Sequence, residues 1–171
     1  MKTLFTNHRP AIKVRCVLWA SMLACAAALY GGWAIFESYG LSAGDGGILR
    51  PFGERLAFGM FVAGLGLIFA GGMMVFANIY ATHLERGNGK VIIQTLNPWG
   101  IGTRRHEFDI AQIGEAAYHE GRTRSFRGPS VNAPWISLRT AGRRLPFVLD
   151  LQAEIIEIGP LSVLAEGIVS K

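Results

Sequence analysis

VLWASMLACAAALYGGWAIF, residues 17–36, and LAFGMFVAGLGLIFAGGMMVFANIYAT, residues 56–82, contain no Asp, Glu, Lys, Arg or His. A hydrocarbon core about 30 Å thick needs about 20 apolar residues at 1.5 Å rise per residue. These uncharged runs of 20 and 27 residues therefore each suffice as a membrane-spanning helix. A small globular core has no use for so much uncharged helix. The reading is a membrane protein: a two-helix transmembrane hairpin over 16–82, with spans 17–36 and 56–82 and an external loop 37–55. A basic arm, 1–15, precedes it. A small antiparallel β domain of α+β type, 83–171, follows.

The wider composition agrees. Half of the 171 residues are hydrophobic and 17% are charged, against about 25% in soluble domains. Charge placement sets an orientation. Lys2, Arg9, Lys13 and Arg15 precede the first span with no acid among them, whereas the connector holds Glu37, Asp45 and Glu54 against Arg50 and Arg55. Arg86, Lys90, Arg104 and Arg105 follow the second span. Basic residues near span ends stay cytoplasmic, so both termini are expected on the cytoplasmic or matrix side. The expected location is a bacterial inner membrane or an organellar inner membrane. A cleaved signal peptide is the rival for the first run, but its apolar region ends after about 7–15 residues, and this one continues through Trp33 and Phe36.

Within lipid, close helix contact relies on small residues. Ala20, Ala24, Ala28 and Gly32 recur every four residues, and Gly59, Ala63, Gly66 and Ala70 at spacings of four, three and four. These two stripes are expected to pack together. Gly64 and Gly71 lie off that seam and suggest a second smooth face for a helix of another chain. Trp19, Trp33, Phe36, Tyr39 and Tyr80 suit interfacial belts. Cys16 and Cys25 stand nine positions apart on one helix, too far for a disulfide. Met60, Met73 and Met74 have no Cys or His beside them to make a copper site. With no carboxylate or base inside either span, transport by this chain alone is not expected.

Beyond the hairpin the apolar period falls to two. Lys90–Leu96 reads as a strand, with turns at Gly87-Asn88-Gly89-Lys90 and Asn97-Pro98-Trp99-Gly100. Arg104–Ile110 and Ile113–His119 continue the alternation. Trp135–Arg139 and Arg144–Leu149 flank a hairpin turn at Thr140–Arg143. Gly121–Pro134 is expected to be an irregular loop. Asp150 is placed to cap a turn, and Pro160 to open a C-terminal helix over Leu161–Val169.

No catalytic pattern emerges. His83, His106 and His119 match no compact metal-ligand spacing, Glu107 and Asp109 read as a solvated strand face, and the serines lack a nucleophile elbow. The chain is expected to be no enzyme and to need no cofactor, metal or small-molecule substrate. The stronger signal is basic: Arg104 and Arg105, then Arg122, Arg124 and Arg127, then Arg143 and Arg144. From Leu84 onward there are 11 basic residues against 9 acids, too even a balance to argue for nucleic acid. Next to a membrane, such clusters meet lipid headgroups or a partner protein.

The segment YATHLERGNGKVIIQTLNPWGIGTRRHEFDIAQIG, Tyr80–Gly114, follows the hairpin with a strand, a Pro/Gly turn, a basic pair and another strand. This order resembles the small two-span membrane proteins with a pleckstrin-homology-like β domain, including mitochondrial assembly factors of respiratory complexes. The likeness covers Tyr80–Leu149 and is most specific over Val91–Thr103. It implies a non-catalytic accessory subunit or assembly factor of a larger bioenergetic membrane complex, with other transmembrane subunits as partners. The alternative is a tethered domain that binds anionic headgroups or a soluble protein.

Overall fold

The computed structural model describes residues 2–42, 44, 46–123, 131–132 and 134–152. The expected C-terminal helix, the loop residue Asp45, and Arg124 and Arg127 lie outside the described residues. Two compact units emerge: a helical unit, Cys16–Val75, and a β unit drawn from the first fifteen residues and from Phe76 onward.

The helical unit holds most of α1 (His8–Ser38) and α2 (Phe52–Ile79). Both are long and apolar enough to cross a membrane, and only 11% of the most apolar window of each is buried. Their large side chains point outward: Leu23, Tyr30, Trp33, Phe61 and Ile68 are all exposed. A soluble core helix would bury them. At the connector end, Phe36 and Phe52 meet edge to face at 5.7 Å between centroids. The Arg55 guanidinium lies 5.3 Å from the Phe36 ring centre and donates to the Phe36 carbonyl at 3.0 Å.

The second helix stops at Ile79, three residues short of the uncharged run. Tyr80 already pairs with Val148, and Ala81 begins a strand. Absence of charge marks a run but carries no information on backbone conformation.

The β unit contains a four-stranded antiparallel sheet in the order β1 (Lys2–Thr6), β2 (Ala81–Gly87), β3 (Lys90–Leu96) and β4 (Thr103–Asp109). A short 3-10 turn, Ile110–Gln112, leads into β5 (Ile113–His119). That strand forms a second sheet with β8 (Trp135–Thr140) and β9 (Phe147–Asp150), in the order β5-β8-β9. A ribbon of β6 (Arg122–Thr123) and β7 (Val131–Asn132) lies between β5 and β8 in the chain. This ribbon corrects the expectation of a wholly irregular 121–134 loop. Gly121 and Pro134 lie outside its paired residues, where they break no ladder.

The first strand corrects the N-terminal arm. Residues 2–6 are an edge strand whose Phe5 stands opposite Leu84. Leu4 and Phe5 join Leu84, Val91, Ile93, Leu138, Phe147 and Leu149 in one buried cluster. The two sheets thus share a core, because alternate residues of each strand point to one face. The β2–β3 turn follows from Asn88 and Gly89, both at positive φ (50° and 75°). That is the geometry a two-residue hairpin of primed type needs.

Candidate anion-binding groove

Strand β4 reads TRRHEFD, and its alternation places Phe108 against the core while His106 sits half-buried, 5.4 Å from the Phe147 ring. Arg104 shares the face of His106 and acts on it, and Arg105 alternates to the face of Glu107. The turn between β8 and β9 brings Arg143 to His106, with the Arg143 guanidinium 4.1 Å from the Phe147 ring centre. Arg143 also donates from Nη2 to the Asn78 carbonyl at 2.8 Å. That carbonyl belongs to the last turn of α2, where the helix leaves acceptors unsatisfied and favours a cation. Asn78, Arg104, Arg105, His106, Phe108 and Arg143 line an open groove of about 510 Å³.

Arg104 and Arg143 act on each other and on His106, whereas Arg105 acts on Glu107. Among the described residues, Arg104, Arg105 and Arg143 make no ion pair within 4 Å; Glu107 is held by Lys90 at 2.7 Å. That bond raises the Lys90 pKa and lowers the Glu107 pKa. Burial, then repulsion from Arg143 and Arg104, holds His106 below the usual histidine value. Burial and Arg104 likewise lower Arg143. Such a site gains from an anion that accepts forked guanidinium hydrogen bonds.

Of the arginines singled out in the sequence, Arg104, Arg105 and Arg143 line this groove, and Arg104 and Arg143 act on each other. Arg144 is exposed and outside the groove. Arg122 lies on β6. The contributions of His106, Phe108 and Asn78 escaped sequence reasoning, although alternation on β4 does put Arg104, His106 and Phe108 on one face.

A second polar cluster was not anticipated. Asn7 donates from Nδ2 to the Tyr80 hydroxyl at 2.8 Å, and Tyr80 donates to Asp150 Oδ2 at 3.1 Å. Burial, then the negative charge of Asp150, raises the Tyr80 pKa strongly. The phenol is therefore a fixed donor, suited to holding β9 against the start of β2 rather than to acid–base work. Asp150 Oδ1 accepts from the Gln152 amide at 3.0 Å, as a turn cap does. The three histidines stay apart. His83 bridges Thr6 and Glu85, His106 contacts Thr95 at 3.2 Å, and His119 stacks on Trp135 with ring centres 3.8 Å apart. Among the described residues no group of three or more His, Cys, Asp or Glu converges as a metal site.

In the helical unit the backbones meet at Gly32 and Gly59. A Cβ on Gly32 would stand 2.6 Å from the Gly59 carbonyl oxygen, and one on Gly66 2.6 Å from Ala28 Cβ. Gly32, Gly59, Gly66 and Ala70 are buried, and Ala28 and Ala63 are partly buried. Ala20 and Ala24 are exposed, which corrects their place in the seam. A strict spacing of four turns the helix about 40° too far at each step, so the stripe drifts off the contact. Leu18, Ser21, Cys25, Ala28 and Gly32, at spacings of three and four, are the partly or fully buried line instead. Both cysteines are free thiols. No family model matches the chain, and neither a curated protein nor a solved structure matches it.

Proposed function

We propose that the chain is a non-catalytic two-span membrane protein whose β unit docks anionic groups on the cytoplasmic or matrix face. The observation that carries this reading is the approach of Arg104 and Arg143, which make no ion pair within 4 Å among the described residues, with Arg105 also on the groove lining, beside the last turn of α2. The outward apolar side chains of α1 and α2 support the membrane placement. So does the pairing of β1 with β2. Strands that flank two spans and share a sheet must lie on one side of the membrane, and the basic N-terminal segment favours the cytoplasmic side. Sheets of four and three strands in this order support a pleckstrin-homology-like arrangement of the β unit. The membrane is a bacterial or organellar inner membrane on this reading.

Calorimetric titration of the full-length chain in mild detergent with pyrophosphate tests the groove. Binding should weaken about tenfold in Arg104→Gln/Arg105→Gln, the loss of one charge-assisted hydrogen bond's worth of affinity, and should fall with added salt. Equal affinity in variant and wild type overturns it.

A second reading, an accessory subunit or assembly factor of a larger bioenergetic complex, has its own observation. A Cβ on Gly64, Gly71 or Gly72 would meet no atom within 4 Å, which leaves α2 a smooth face beyond its seam with α1. Native-gel mass spectrometry of a mild-detergent extract tests it: co-migration with a large complex supports this role, and migration as a free chain removes it.

A further inference from the structure

The four-stranded sheet ends, on the side of α2, in a turn that serves neither the groove nor the core. Strand β2 starts just after α2 stops at Ile79, and β3 runs back antiparallel to it, with Thr95 opposite Ala81. The Leu96 amide donates to the Tyr80 carbonyl at 3.4 Å. The residues that join β3 to β4, 97–102, therefore sit at the end of the sheet where α2 arrives. Trp99 and Ile101 on this turn are 66% and 69% exposed.

That exposure is built into the turn. The Trp99 amide donates to Asn97 Oδ1 at 3.1 Å, and the Gly100 amide to the Asn97 carbonyl at 2.8 Å. Gly100 and Gly102 both take a φ of 74°, a left-handed conformation that glycine adopts without strain. From the first turns of α1, Arg15 Nη2 donates to the Gly102 carbonyl at 3.2 Å. A single exposed apolar residue needs no explanation. Two large ones, held outward by a fixed turn at this end of the sheet, call for an apolar surface to meet them.

We propose that this turn is an interfacial anchor, with Trp99 and Ile101 entering the boundary between headgroups and acyl chains on the side of the bilayer that holds the β unit. Two ties set its depth. Tyr80, bonded to the residue just before the turn, directly follows the last residue of α2. Arg15, bonded to the residue that ends the turn, stands two residues before the uncharged run 17–36, about 3 Å of helix rise. Tryptophan suits that boundary because its ring is apolar and its N–H finds a polar partner there. Arg104 and Arg105, both exposed, follow the turn almost directly, where anionic headgroups attract them. The inference rests on the membrane placement proposed above, and adds to the two spans a third contact with the bilayer.

Fluorescence of the full-length chain tests it, with the native thiols removed by Cys16→Ser and Cys25→Ser and the protein placed in vesicles of equal phosphatidylethanolamine and phosphatidylglycerol. A nitrobenzoxadiazole probe is attached, one site at a time, through Ile101→Cys, through Leu23→Cys in the first span, and through Lys90→Cys at the opposite end of the sheet. Nitroxide lipids labelled near the headgroup should quench the probe at 101 strongly and the probe at 90 little. Nitroxides deep in the acyl chains should quench the probe at 101 less than shallow ones do. Strong quenching at 23, with no more at 101 than at 90, overturns the anchor and leaves the membrane placement standing. Loss of quenching at 23 removes both. A blue-shifted probe at 101 that no nitroxide quenches names a second copy of the chain as the cover of the turn, and overturns the proposal as well.

Discussion

Tyr80 ties together segments that lie 73 and 70 residues from it in the chain, through Asn7 and Asp150. Replacing its hydroxyl leaves a buried amide and a carboxylate without their shared partner. Tyr80→Phe should therefore destabilise the β unit by about 1–3 kcal/mol, read as a lower thermal midpoint of the full-length protein. His106 provides a second residue-scale outcome. Its folded pKa is lowered, by burial first and then by Arg143 and Arg104. The unfolded chain binds that proton more readily than the folded one. The stabilising contribution is thus complete above a pH of about 6.5 and is lost as pH falls toward the lowered value. His106→Gln should flatten the melting temperature against pH in that window. Pyrophosphate in the groove should raise the His106 pKa, followed by its imidazole proton resonances; an unmoved titration would separate His106 from the anion site.

At the scale of elements, contact between α1 and α2 is decided by which small residues face each other. Gly59→Leu and Gly66→Leu place bulk where backbone or Ala28 already stands, and each should destabilise the hairpin by about 1–3 kcal/mol. Ala20→Leu and Ala24→Leu, at exposed positions, should leave it unchanged. Thermal stability in detergent and cross-linking between the helices distinguish the two sets. The α2 seam was legible because spacings of four, three and four keep pace with a packed helix pair. The α1 seam was not, because four-residue steps look regular in sequence while rotating around the helix. Strands β3, β5 and β8 were equally legible from their alternation and turn residues. The β6–β7 ribbon was not: two residues on each side carry no period.

For the whole molecule, the decisive feature is β1. Phe5 is fully buried in the core, so Phe5→Ala should destabilise the β unit by about 3–5 kcal/mol. A fragment beginning at Leu84 should fail to fold for want of this strand, as judged by far-UV circular dichroism and aggregation. If both helices span the bilayer, a cysteine placed at Asp45 should react with an impermeant thiol reagent from outside, and one placed in β1 should not. Reaction at β1 from outside would reverse the proposed orientation.

Charge-free length and alternation, both local properties of the chain, determined that there are two long apolar helices and an antiparallel β region after them. The arginine groove was legible only as scattered clusters. Which arginines meet depended on β4 and the β8–β9 turn approaching through a shared core. The five residues of β1, the end of α2 at Ile79 and the Asn7–Tyr80–Asp150 chain were decided by tertiary structure alone. Each is fixed by a partner some 70 or more residues away, and a contact of that kind leaves no periodic trace in the sequence.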